Sequence, residues 1–149
     1  AVPVLVAVDQ VKRALAETNG IVTDVGSVKA AVCAGASDTR FVGGHPMAGS
    51  ELDGLEGAQA DLFEGAVWVL TPGVDSDDTV FAGVAAVVAS FGAEVVALSP
   101  ERHDQLVAVV SHVPHLTAAT LMGLASERAE EHAALLRLAA GEPVGGAAP

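Results

Sequence analysis

His45 stands in the run Gly43-Gly44-His45-Pro46-Met47-Ala48-Gly49-Ser50-Glu51, directly behind the apolar stretch Arg40-Phe41-Val42. An imidazole titrates near neutrality, so a histidine held at a strand's exit between glycines and a proline suits a general base. Glycine admits close approach of backbone or ligand, and proline fixes φ and removes a donor. The bland alternative is a loop histidine bonded to backbone, with Glu51 a solvated carboxylate. A second candidate is Thr23-Asp24-Val25-Gly26-Ser27. Asp24 and Ser27 straddle Gly26 at a helix start, where they either cap the helix or turn a hydroxyl and free amides toward a ligand. The third is Ser111-His112-Val113-Pro114-His115, where positions 112 and 115 share a helix face and Pro114 should kink the helix, leaving carbonyls free. With His103 and Asp104 upstream it could be read as a metal site; otherwise these histidines cap or pair within a helical interface. A spacing of three with an intervening proline is a poor metal template. Cys33 has no partner signal and reads as core packing.

The elements that must position these groups alternate. Residues 1–5 read as a strand ending near Pro3, and Val8–Glu17 as a helix with Val8, Val11 and Leu15 on one side. Ile21–Thr23 is a short buried strand, Val28–Ala34 a helix, and Arg40–Gly44 a strand. A long loop, Pro46–Gly57, precedes a strand over Ala66–Thr71. Acids at 75–78 cap a helix running to Phe91, and Ala93–Leu98 is a last strand. This alternation predicts an α/β layer with an open sheet. Ligands collect at the carboxyl ends of such strands, where the 23–27 turn, His45 and Thr71-Pro72 all present polar groups. From Pro100 onward the pattern is helical only, through Glu101–Ala125 and Glu127–Leu138. Residues 1–98 and 99–141 therefore read as two domains, with 142–149 a disordered tail.

Composition narrows the partners. A formal charge of −12 argues against nucleic acid and against an anionic membrane surface. The apolar stretch 81–98 is better explained as helix, glycine stop and strand than as a membrane span. The single cysteine fits a reducing cytoplasm, and the apolar N-terminus lacks the basic flank of a signal peptide.

Taken in order, several segments resemble the prephenate/arogenate dehydrogenase family of tyrosine biosynthesis. They are Ala1-Val2-Pro3, Val22–Lys29, Phe41–Glu51, Leu62–Gly65, Trp68–Pro72, Ser99–Asp104 and Ser111–His115. The resemblance implies a partial Rossmann-type dinucleotide-binding domain followed by the first helices of an α-helical substrate and dimerisation domain. It implies NAD- or NADP-dependent oxidative decarboxylation of prephenate or arogenate, to 4-hydroxyphenylpyruvate or tyrosine, in a homodimer. His45 matches the catalytic histidine that hydrogen-bonds the substrate's ring hydroxyl, and Ser27 the serine contacting the same hydroxyl near the nicotinamide. Ser50, Glu51, His112 and His115 match substrate-pocket positions, and Pro3, Asp24, Gly26 and Ser27 the cofactor side. The family's GxGxxG pyrophosphate turn and its later Phe-Arg/Lys-Asp segment have no counterpart in these 149 residues. The chain is therefore expected to correspond to the middle of such an enzyme, to bind dinucleotide poorly, and to be inactive or nearly so alone. Tight NAD⁺ binding in isothermal titration would overturn that expectation. The rival is a non-catalytic remnant that self-associates or binds a partner chain.

Overall fold

The computed structural model describes residues 4–49 and 54–129. Pro3, Ser50, Glu51 and everything after Ala129, including the expected tail, lie outside the described residues.

Helix α1 spans Val4–Glu17. Val4 and Leu5 are thus helical, against the strand expected at the N-terminus. A short β-branched run is ambiguous by itself, and here the helical spacing of Ala7 and Val11 prevails because both bury against the next elements. The Arg40 guanidinium donates to the carbonyls of Leu15 (3.0 Å) and Thr18 (2.6 Å), closing the helix's C-terminal end.

Strand β1 (Val22–Thr23) leads into α2 (Ala30–Gly35), then β2 (Phe41–Pro46), β3 (Val67–Pro72), α3 (Asp78–Ser90) and β4 (Glu94–Ala97). The sheet order is β1-β2-β3-β4, with β1 parallel to β2, β2 antiparallel to β3, and β3 parallel to β4. It is a mixed open sheet with a core on each face. Neighbouring strand residues point to opposite sides: Phe41 joins Ala7, Val11, Val22, Val32 and Ala36 under α1 and α2. Val42 joins Trp68, Leu70, Val80, Val84, Val88 and Ala93 under α3. Asp77 caps α3 by accepting from the Thr79 amide at 2.7 Å, as the acidic run predicts. Gly92, at φ +77°, ends it in a conformation that suits glycine.

Pro100 opens α4 (Pro100–Val107), using the position where a helix tolerates a missing amide hydrogen. A second compact unit begins at Val107. In it a π-helical turn, Ala108–His112, precedes α5 (Val113–Ala129). The wide turn falls just before Pro114, whose ring cannot donate to the preceding turn, so the expected local distortion takes this form. The helical stretch Pro100–Ser126, with an 18-residue window of mean hydropathy 1.4, is by length and composition long and apolar enough to cross a membrane. Buried helices of soluble proteins satisfy the same criterion.

Candidate functional site

His45 lies inside β2, not beyond it. It pairs with Val69, Pro46 pairs with Trp68, and the Met47 amide donates to the Val67 carbonyl at 2.8 Å. Backbone pairing, rather than a stiff loop, therefore fixes the imidazole's position. A terminal proline is tolerated because it sits at the strand's last position.

The two glycines before it also act differently from the expectation. Both are buried, and protein, not ligand, fills the space a side chain would need. A Cβ on Gly43 would overlap the Thr71 hydroxyl and approach Cys33 Sγ to 2.9 Å. On Gly44 it would stand 2.6 Å from the Asp24 carbonyl oxygen and 3.1 Å from Trp68 Nε1. Thr71 is likewise not a ligand-facing strand end. Because β3 runs against β2, Thr71 pairs with Gly43, away from the carboxyl end of β2, and it is wholly buried against Cys33. Burial pushes the Cys33 thiol up, consistent with a packing residue rather than a nucleophile. Trp68, the chain's one tryptophan, packs against Phe63 with ring centroids 4.9 Å apart and is buried. Its Nε1 has no hydrogen-bond partner among the described residues.

Around His45 the first compact unit gathers four more ionisable groups. His45 Nδ1 lies 2.8 Å from His103 Nε2, and the two rings meet edge to face. His103, wholly buried, turns its Nδ1 to Asp104 Oδ1 at 2.8 Å. The Asp104 carboxylate also accepts the backbone amides of Lys29 (2.8 Å) and Ala30 (2.9 Å), so it caps the start of α2 from another helix. Lys29, also wholly buried, donates to the Gly44 carbonyl at 2.8 Å and pairs with Asp24. Asp24 in turn accepts from the amides of Gly26 (2.9 Å) and Gly44 (3.1 Å). The buried Lys29 and His103 are thus both partnered, the condition under which a buried polar network is stable.

The charges tune the base. Burial first, then the adjoining His103 ring and the Lys29 ammonium, push the His45 imidazolium down to about 4, against the opposing carboxylates of Asp24 and Asp104. His45 is therefore neutral, able to accept a proton throughout the physiological range. Burial alone would raise the Asp104 carboxyl. The amides of Lys29 and Ala30 and the His103 ring outweigh it and hold Asp104 below the usual carboxylate range.

Among the other candidates, Ser27 is exposed in the turn between β1 and α2, the same turn that supplies Asp24 and Lys29. Gly26 serves that turn: a Cβ there would come within 2.9 Å of Asp24 Oδ2. His112 and His115, in the second unit, are exposed, and His115 Nδ1 donates to its own helix at the Ser111 carbonyl, 3.0 Å away. His103, Asp104 and Lys29 are the members that sequence reasoning did not place beside His45. The available signals were a lysine inside the apolar run Val28-Lys29-Ala30-Ala31-Val32 and a His-Asp pair in the first turn after Pro100.

A prephenate dehydrogenase from Bacillus subtilis (strain 168) is 36% identical over 142 residues, covering 92% of this chain and 38% of that protein. Among solved structures, prephenate dehydrogenase from A. aeolicus in complex with hydroxyphenyl propionate and NAD+ superposes with a TM-score of 0.79 at 35% identity, over 85% of this chain and 46% of that one. Synechocystis arogenate dehydrogenase gives 0.74 at 32% identity, over 99% and 57%. The chain spans about two fifths of the length of the curated relatives it matches. Residues 1–97 match the prephenate dehydrogenase nucleotide-binding domain and residues 99–142 the prephenate dehydrogenase dimerization domain, and the chain belongs to the prephenate dehydrogenase family.

Proposed function

We propose that this chain carries the proton-accepting part of an NAD- or NADP-dependent dehydrogenase that oxidatively decarboxylates prephenate or arogenate. The observation that supports it best is His45: neutral down to about pH 4 and held against His103 at the end of a paired strand. When hydride leaves the ring carbon bearing the substrate's hydroxyl, positive charge grows on that oxygen. A neutral imidazole that takes the hydroxyl proton relieves this charge as it forms, a contribution of roughly 10²–10⁴ in rate. The oxygen is then strongly acidic, so a base weakened by burial still suffices. Loss of CO₂ completes an aromatic ring and draws the reaction forward.

NAD or NADP, when bound, supplies the hydride acceptor. The residues here fit one end of it. The exposed Val25 and Ser27 and the adjacent apolar hollow lined by Ala7, Val11, Val22 and Val28 offer a partly apolar surface beside β1 on which a nicotinamide would lie. Gly43 and Gly44 are packed within the sheet against Thr71, Cys33 and the Asp24 carbonyl. In this reading Ser27 contacts the substrate hydroxyl near the nicotinamide, and Asp24, Gly26 and Pro3 border the cofactor. Ser50, Glu51, His112 and His115 belong to the substrate pocket. The domains divide after residue 98, the apolar α5 contributes to a homodimer interface, and the protein works in the cytoplasm.

A chimaera tests this directly. Replacing the matching segment of the Bacillus subtilis relative with residues of this chain should give an enzyme that reduces NAD⁺ in the presence of prephenate. His45→Asn in that chimaera should remove the activity while leaving the circular dichroism unchanged. A folded H45N chimaera that retains the rate would sink the assignment.

A further inference from the structure

We infer that His103 and Asp104 set the tautomer of His45, so that its Nε2 is the bare nitrogen and Nδ1 carries the proton. The inference rests on the reading of His45 as the base, and deepens it.

The argument starts at the carboxylate. Asp104 accepts two backbone amides at 2.8 and 2.9 Å, so it is built to stay ionised, and an ionised carboxylate can only accept. The His103 Nδ1 that faces it at 2.8 Å must therefore carry a hydrogen. In a neutral His103 the other nitrogen, Nε2, is then a bare acceptor. Its neighbour at 2.8 Å is His45 Nδ1, and two nitrogens at that distance share one hydrogen, which His45 must supply. The lone pair of His45 is left on Nε2. The chain of bonds is thus Asp104 carboxylate, His103 Nδ1–H, His103 Nε2, His45 Nδ1–H, with the reactive lone pair at the far end.

No other described group competes for this direction. Asp24 is engaged by two amides and Lys29, and Lys29 itself donates to Asp24 and the Gly44 carbonyl. In action, the substrate's O–H bond breaks and an N–H bond forms at His45 Nε2. The new positive charge polarises the His45 Nδ1–H toward His103 and, through it, toward Asp104. Only a proton moves, so no further reactant is needed. His103 and Asp104 touch neither substrate nor cofactor in this scheme; they are positioning residues, and the logic is that of a carboxylate orienting a catalytic histidine.

Long-range nitrogen–proton correlation spectra of the imidazoles in the 149-residue chain read the tautomer without substrate or turnover. Wild-type His45 should show a protonated Nδ1 and a bare Nε2. His103→Leu should leave a mixture of tautomers. His103→Gln, whose amide oxygen can still accept from Nδ1, should restore the wild-type tautomer. Should His103→Leu fail to fold, Asp104→Ala, which leaves His103 Nδ1 no side-chain acceptor, serves instead, and it should also produce the mixture. A wild-type His45 protonated on Nε2, or a folded variant set with one unchanged tautomer, overturns the inference. An unreactive H45N chimaera together with that result would leave the base assignment standing while removing the role of His103 and Asp104.

Discussion

Two pairs of histidines separate what a folded site does from what a helix does alone. His45 and His103 come from elements 58 residues apart and meet in the first unit, one ring half-buried and the other enclosed. His112 and His115 are near neighbours on one helical stretch of the second unit, exposed, and His115 is tied to its own backbone. Sequence spacing made the second pair the more conspicuous. Tertiary contact is what sets His45 apart, because burial and neighbouring charge disfavour its protonated form. Local proximity supplies a face, whereas long-range packing supplies a pKa and a direction.

That contrast can be broken most sharply at His45. His45→Asn should lower turnover in the chimaera by roughly 10²–10⁴, read as reduced nicotinamide formed, with little change in stability. Next is Lys29→Met, which leaves the partly buried Asp24 carboxylate without its cation. Removal of one partner from such a pair costs about 3–5 kcal/mol, visible as a lower midpoint in urea. A change below 1 kcal/mol would show that the polar network does not hold the first unit together.

A smaller effect should appear on acidification. His45 binds its proton near pH 4 when folded and near 6.5 when unfolded, so the unfolded chain takes up the proton first. This group's contribution is complete above about pH 6.5, lost progressively toward pH 4, and flat below that. Urea midpoints measured across this window should fall with pH in the wild type and fall less in His45→Asn. The smallest effect is His115→Ala, which should move stability by no more than about 0.5 kcal/mol. A larger shift would mean that the exposed pair is held as tightly as the buried one.

Much of the scaffold was legible because it is local. The acids before α3, Pro100 at the head of α4 and the glycine after α3 are signals that a few residues carry themselves. The α1 register was harder, since Val4, Leu5 and Val6 suit a strand as well as a helix until Ala7 and Val11 find partners. The reversal between β2 and β3 left no trace in composition, because both strands are buried on both faces and so lack the alternation that marks direction or edge. His45 could be singled out from its flanking residues. Its mount could not, because Lys29, His103 and Asp104 reach it only after α2 and α4 are packed. In sequence the glycines at 43 and 44 suggest room for a ligand, yet their emptiness is relative to Thr71, Cys33 and the Asp24 carbonyl, none of them adjacent in the chain.

Trp68 gives the molecule an optical consequence. It is the single indole in the chain, it pairs across the sheet with Pro46, the residue after His45, and its Nε1–H finds no acceptor among the described residues. An indole so enclosed emits toward the blue. Unfolding exposes it to water, so the fluorescence of the unlabelled protein follows the integrity of the sheet core beneath α3.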